Sequence, residues 1–303
     1  MTEFLQQLVN GLALGSIYAL IALGYTMVYG VLRFINFAHS DVLMLGAFAA
    51  FYLAPVLAPA LGAASIPLAC AVIVFSALIC ACIGMLIEFL AYRPLRSRPK
   101  LTVLITAIGV SLLIEFTGQH EEVFGAAPRS FPKLLPQSDV SFGALHISSN
   151  DLVVLVLTAA LLAAMWFIVQ KTKLGMAMRA VSFNEQAASL MGVNVNRIIS
   201  LTFGLGSALA AIAGIFYAMR APTIEPLMGI QPGLRAFIAA VLGGIGNLPG
   251  AALGGIVLGL IETIFGGLPG MSKYRDAIAF AILILILLFR PAGLLGKAQI
   301  EKV

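Results

Sequence analysis

The sequence predicts an all-α fold: a polytopic integral membrane protein with eight to ten transmembrane helices. Three observations carry that expectation. The 303-residue chain is 61% hydrophobic and 10% charged, whereas soluble domains carry about 25% charged residues. Apolar runs of the ~18 residues needed to cross about 30 Å of hydrocarbon recur along the whole length, and mean hydropathy is +1.04. The apolar pattern is continuous rather than alternating, which excludes a transmembrane β-barrel. The whole chain, 1–303, reads as one transmembrane domain.

Taken in order, the candidate spans are roughly 4–30, 40–59, 66–91, 101–118, 151–169, 199–219, 231–244, 250–267 and 276–290. The first carries Glu3 and no Lys or Arg before Arg33. It lacks the basic start of a signal peptide and is too long for its apolar core, so it is expected to be an uncleaved span with its N-terminus outside. Cys70, Cys80 and Cys82 all fall in the third span, where their spacing suits neither a disulfide nor a metal and leaves them as packing residues. The loop after it holds Arg93, Arg96, Arg98 and Lys100 and no acid. The loop at 119–151 carries Glu121, Glu122, Asp139 and Asp151 against Arg129 and Lys133. Lys171, Lys173, Arg179 and Arg197 then face Glu185 alone, and Arg290, Lys297 and Lys302 lie in the tail. Basic loops stay on the cytoplasmic side. That places 119–151 outside, the other three segments inside, and the C-terminus in the cytoplasm. The segment 231–244 is short and broken by Gly243, Gly244, Gly246, Pro249 and Gly250, so crossing and re-entry both fit it. Gly204, Gly206 and Gly214, and Gly250, Gly254, Gly255 and Gly259, have the spacing that lets helix backbones approach closely in lipid. The alternative is a set of broken helices lining a pathway.

The long polar island from Gln170 to Arg197 must face water. Ser182-Phe183-Asn184-Glu185 fits a capping box, with the serine hydroxyl on the Glu185 amide and Glu185 reaching back. Gly192 stands where a left-handed C-terminal cap is wanted. Between them lies a helix of about nine residues, too short to be stable alone in water. Phe183, Ala187, Leu190 and Met191 give it an apolar stripe, and Ala188 keeps the opposite side low. It is either a surface helix resting on the membrane or a docking helix for a partner. Asn36, His39 and Asp41 cluster where the first two spans meet, and Asn247 opens a later one. Polar groups at membrane depth are costly, so these four are candidate pathway or gate residues, against a plainer role as helix caps. Glu88 is expected to snorkel to the interface beside Arg93.

Several stretches resemble one family. Gly175-Met-Ala-Met-Arg179-Ala180, Asn184-Glu185, Ala187-Ala188 and Gly192-Val193 are similar to the cytoplasmic coupling segment of ABC importer permeases, in the version of the branched-chain amino acid (LivH/LivM) permeases. Leu14 to Gly24, Asn36 to Asp41 with Leu45-Gly46-Ala47, Gly243 to Ala251 and Arg290 to Gly296 fit the same family, and the LivH type more closely. Ser40 departs from it, standing where much of the family has glycine. The resemblance implies an ABC-importer permease fold. It also implies a LivM-like second permease, two cytoplasmic ATPase subunits, a periplasmic binding protein that delivers the amino acid, and an inner-membrane location. Its coupling residues would be Gly175, Arg179, Ala180, Ser182, Asn184, Glu185, Ala187, Ala188 and Gly192. The loop at 119–150 would dock the binding protein or cap helix ends. Glu115 and Glu262 would pair with a neighbouring helix or with the second permease.

The chain has no G-x-x-x-x-G-K-[S/T] phosphate loop, so no cofactor is expected on it and ATP would be used by the partner subunits. An intramembrane protease needs a G-x-S-G turn and a helical His. Gly204-Leu205-Gly206-Ser207-Ala208 lacks the closing glycine, and His120 and His146 lie in the outer loop. An ion-coupled secondary transporter or channel would use the same apolar spans, but it has no need of a capped docking helix.

Overall fold

The structure, a computed structural model, describes residues 2–96, 98–136, 139–142 and 145–296. Lys297 and Lys302, counted above with the basic tail, lie outside them. Among the described residues are eleven α-helices: α1 (Thr2–Leu32), α2 (His39–Leu61), α3 (Ile66–Ile87), α4 (Lys100–Gln119), α5 (Ser149–Lys171), α6 (Lys173–Phe183), α7 (Glu185–Leu190), α8 (Val195–Arg220), α9 (Ile230–Gly243), α10 (Leu248–Gly266) and α11 (Arg275–Phe289). A π-helical turn, Glu88–Tyr92, continues α3. Every expected span has its helix. Seven (α1, α2, α3 with its extension, α4, α5, α8 and α10) are long and apolar enough to cross a membrane. The chain is a multi-pass membrane protein. The 14 residues of α9 rise only about 21 Å at 1.5 Å per residue, less than the hydrocarbon thickness, which is why its sequence reads ambiguously.

The bundle has a centre and a rim. α1 and α8 form the centre: Ile17, Tyr18, Ala19, Leu20, Ile21 and Ala22 are wholly buried, as are Ala210, Ala211, Ala213, Ile215 and Phe216. α4 and α5 form part of the rim and leave Leu113, Phe116, Val156 and Phe167 exposed, the pattern of lipid-facing helices. α1 meets α10 along a glycine seam. A Cβ on Gly259 would stand 2.3 Å from the Cα and N of Gly15, and one on Gly255 would stand 2.4 Å from the Ala19 nitrogen. Only glycine admits that approach, and close backbone packing is how helices associate where lipid removes the hydrophobic drive. Cys80 packs in the core, while Cys70 and Cys82 face outward from α3, so only one of the three has the packing role expected of all.

The two ends of the bundle sort the loops as the charge map does. At one end the Arg96 guanidinium donates to Asn196 Oδ1 at 2.9 Å, Arg33 donates to the Ser182 carbonyl at 3.2 Å, and the amides of Leu294 and Leu295 bond Leu242 and Gly243. At the other, Arg220 pairs with Asp151 at 2.6 Å, and β1 (Arg129–Ser130) pairs antiparallel with β4 (Thr223–Ile224). Here Phe131, Leu134 and Leu135 are buried, so this part of the 119–150 loop seals helix ends. A hairpin of β2 (Asp139–Phe142) and β3 (Leu145–Ser148) leads from it into α5.

Candidate functional site

The polar island is two helices rather than one. α6 follows α5 after a single residue, Thr172, whose Oγ1 accepts from the Gly175 amide at 3.2 Å. A Cβ on Gly175 would stand 2.1 Å from the Val169 carbonyl oxygen, so glycine is what allows so sharp an elbow. Arg179 donates to that same carbonyl and satisfies one of the acceptors left over at the end of α5. The Ala180 carbonyl accepts from the Asn184 amide at 3.0 Å and closes α6.

The expected capping box is not formed. Ser182 is still helical, within α6, and its hydroxyl donates to the Gly30 carbonyl near the end of α1. The cap of α7 is Asn184, with extended backbone and its Oδ1 accepting from the Ala187 amide at 2.9 Å. The physical reason is priority: a serine that answers a carbonyl of the central helix holds a long-range joint, and the asparagine two residues on has the backbone geometry a cap requires. At the other end the expectation holds. Gly192 has φ +85°, its amide bonds Ser189 at 3.0 Å, and the Val193 amide bonds Ala188 at 3.0 Å, the paired bonds of a Schellman cap. α7 is therefore six residues long, shorter than the nine expected.

α7 rests on the bundle through Ala188, which is buried, and turns Glu185 and Ala187 to solvent. Phe183, Leu190 and Met191 are 89%, 89% and 85% exposed. Beyond it Asn194 caps α8, its Oδ1 accepting from the Arg197 amide at 3.1 Å. The segment thus joins α1 through Ser182 and Arg33, α5 through Arg179, and α8 by direct continuation.

The other candidates separate. Asn36 is buried and accepts from the Tyr92 hydroxyl at 2.6 Å. The buried His39 ring lies 4.6 Å from that of Tyr25. Asp41, also buried, accepts from Ser111 at 2.5 Å. These three stand at the start of α2, between α1, α4 and the π-turn. Asn247 belongs elsewhere. It caps α10, donates to the Leu295 carbonyl at 2.6 Å, and lines a cavity shared with Arg179 and Ser182.

Two charge clusters complete the interior. Glu88 does not snorkel. It is wholly buried, with Arg96 on one carboxylate oxygen and Ser200 on the other, because the π-turn brings the chain back over it. Glu262 does pair with a neighbouring helix: Arg235 of α9 lies 3.1 Å away, and the Tyr18 hydroxyl donates to it at 2.9 Å. Arg235 also pairs with Asp276 at 2.6 Å. Arg235 is not among the candidates drawn from the sequence, although an arginine inside an apolar helix is itself a signal.

Seven membrane-length helices enclosing paired interior charges define a multi-pass helical membrane protein. The chain belongs to the family described as branched-chain amino acid transport system / permease component, whose model matches residues 7–287. It is 43% identical to the high-affinity branched-chain amino acid transport system permease protein BraD of Pseudomonas aeruginosa, across 99% of this chain and 98% of the relative. It is 39% identical to LivH of Escherichia coli (strain K12), with the same coverage. A shorter match, 34% over 129 residues, links it to the ribose import permease protein RbsC of Escherichia coli, covering 41% of this chain and 40% of the relative.

Proposed function

We propose that this chain is the permease subunit of an ATP-driven importer of branched-chain amino acids. It forms the pathway with a second, LivM-like permease in the bacterial inner membrane, N-terminus in the periplasm and C-terminus in the cytoplasm. Two cytoplasmic ATPase subunits bind its α6–α7 segment, and a periplasmic binding protein delivers the amino acid at the 119–150 face. ATP is bound by those partners and no cofactor by this chain. The observation that carries the reading is α7: three large apolar side chains held out at a water-facing end by a helix too short to stand alone. Such a surface suits a groove on another protein.

The connections supply a mechanism. A push on α7 is carried by Asn184 and Ala180 into α6, by the Ser182–Gly30 and Arg33–Ser182 bonds to the end of α1, and by the Gly192–Asn194 turn to α8. Since α1 and α8 are the centre of the bundle, ATPase closure would move its core rather than its rim. Asn36, His39 and Asp41 lie where such motion opens or shuts a path between α1 and α2.

Affinity purification of the tagged chain with its ATPase partners tests this. Replacing Leu190 and Met191 together by Ser is expected to lower ATPase recovery about tenfold or more, as loss of two interface anchors does, and to leave folding of the bundle intact. Full recovery and transport in that variant would overturn the docking assignment.

A further inference from the structure

Beside the coupling segment lies a cavity that shares Arg33, Arg179 and Ser182 with the coupling joint, and to whose interior the proposed function gives no occupant. Its volume is about 500 Å³, and Tyr29, Arg33, Gln170, Arg179, Ser182 and Asn247 line it. A second chamber of about 80 Å³ shares Gly30, Arg179, Ser182 and Gly246 with it and reaches Thr26 on α1. The Thr26 hydroxyl is buried and has no hydrogen-bond partner, in an environment where buried hydroxyls normally find one. We propose that this cavity binds the phosphate group of an anionic molecule.

Four observations point there. The two guanidinium groups come from separate segments, the turn after α1 and helix α6, and no acidic side chain lines the cavity to neutralise them. Each has one nitrogen bonded to a carbonyl, Arg33 to Ser182 and Arg179 to Val169, which leaves further N–H groups of each five-donor fork for a ligand. Arg33 is held at φ +55°, a left-handed conformation that a non-glycine residue adopts at a cost and that concentrates at binding sites. The orphan Thr26 hydroxyl marks the inner end as a place built for a polar guest. The source of the phosphate is suggested by the neighbouring surface. The Lys171 ammonium sits 5.9 Å over the Trp166 ring on α5, and Trp with Lys marks the headgroup level of a membrane. A phospholipid headgroup and a free phosphate share the chemistry, and the experiment separates them.

The full chain, purified in detergent, is titrated with phosphatidylglycerol, phosphatidylcholine and inorganic phosphate while thermal unfolding is followed. Stabilisation by phosphatidylglycerol alone assigns a lipid headgroup. Stabilisation by phosphatidylglycerol and inorganic phosphate assigns a site open to soluble anions. In either case Arg33→Gln is expected to weaken the titration about tenfold, the scale of one charge-assisted contact, and Arg98→Gln, at an exposed loop position outside the cavity, is expected to leave it unchanged. Thr26→Val, which keeps the shape and both arginines, serves where Arg33→Gln fails to fold, and it is expected to weaken binding less. No stabilisation by either anion, equal stabilisation by phosphatidylcholine, or an unaltered titration in both Arg33→Gln and Thr26→Val would overturn the site.

Discussion

At the scale of single residues, the capping role that the spacing gives to Ser182 is taken by Asn184. A Ser-x-x-Glu pattern is an N-cap signature, but an N-cap must have non-helical backbone, and Ser182 remains in α6. Asn184 has φ −158° and takes the Ala187 amide. Asn184→Ala is therefore expected to cost α7 about 1 kcal/mol, read as faster hydrogen exchange at Gln186 and Ala187 with the rest of the bundle unchanged. Ser182→Ala should leave exchange in α7 nearly as it was and loosen the joint between α6 and α1. Were Ser182→Ala to unprotect the same amides instead, the cap would belong to the serine. The misassignment has a physical origin. Whether a serine caps its own helix or answers a distant carbonyl depends on where Gly30 lies, and 152 residues separate the two. Gly192 was readable because a left-handed C-cap is a local demand that the residue itself meets. The charge pairs were readable only as candidates. Glu262 announced that it needed a partner, but finding Arg235 required the α9–α10 hairpin.

At the scale of elements, helix positions were legible from the chain alone because lipid imposes a length and forbids open backbone. All nine spans lie within a few residues of their helices. Which helices are central was less legible, since α8 and α4 have similar hydropathy, 2.0 and 1.9, while one is enclosed and the other faces outward. Glycine carried that information in part. The α1–α10 seam puts Gly259 against Gly15 with no room for a side chain, whereas a Cβ on Gly109 of α4 would meet nothing within 4 Å. Gly259→Leu is expected to destabilise the bundle by 1 to 3 kcal/mol or more, about the cost of overpacking a filled core, visible as a lowered detergent melting point and poor recovery from membranes. Gly109→Leu should match the parent in both, since its side chain meets no neighbour. Equal tolerance of the two substitutions would mean that the seam is not a tight contact.

At the scale of the whole molecule, buried charge ties together helices that lipid gives little reason to associate. The Tyr18–Glu262–Arg235–Asp276 network joins α1, α9, α10 and α11, and it does so where α9 is too short to be anchored at both membrane faces. Glu262 is 3% exposed and Asp276 58%, so the two carboxylates on Arg235 have unequal weight. Truncating Arg235 would leave Glu262 as a buried anion with only the Tyr18 hydroxyl, and loss of one partner of a buried pair costs about 3–5 kcal/mol. Asp276 is partly in water, where an ion pair contributes about 0–1 kcal/mol. Thermal unfolding should accordingly rank Arg235→Met as severe and Asp276→Asn as mild. The double variant Arg235→Met/Glu262→Leu removes both buried charges together and is expected to recover much of the stability that Arg235→Met loses, because the penalty resides in the orphaned charge. If the double variant were instead as unstable as the two single losses added together, Arg235 would act through packing of α9, and the charge network would not be what holds the short helix in the bundle.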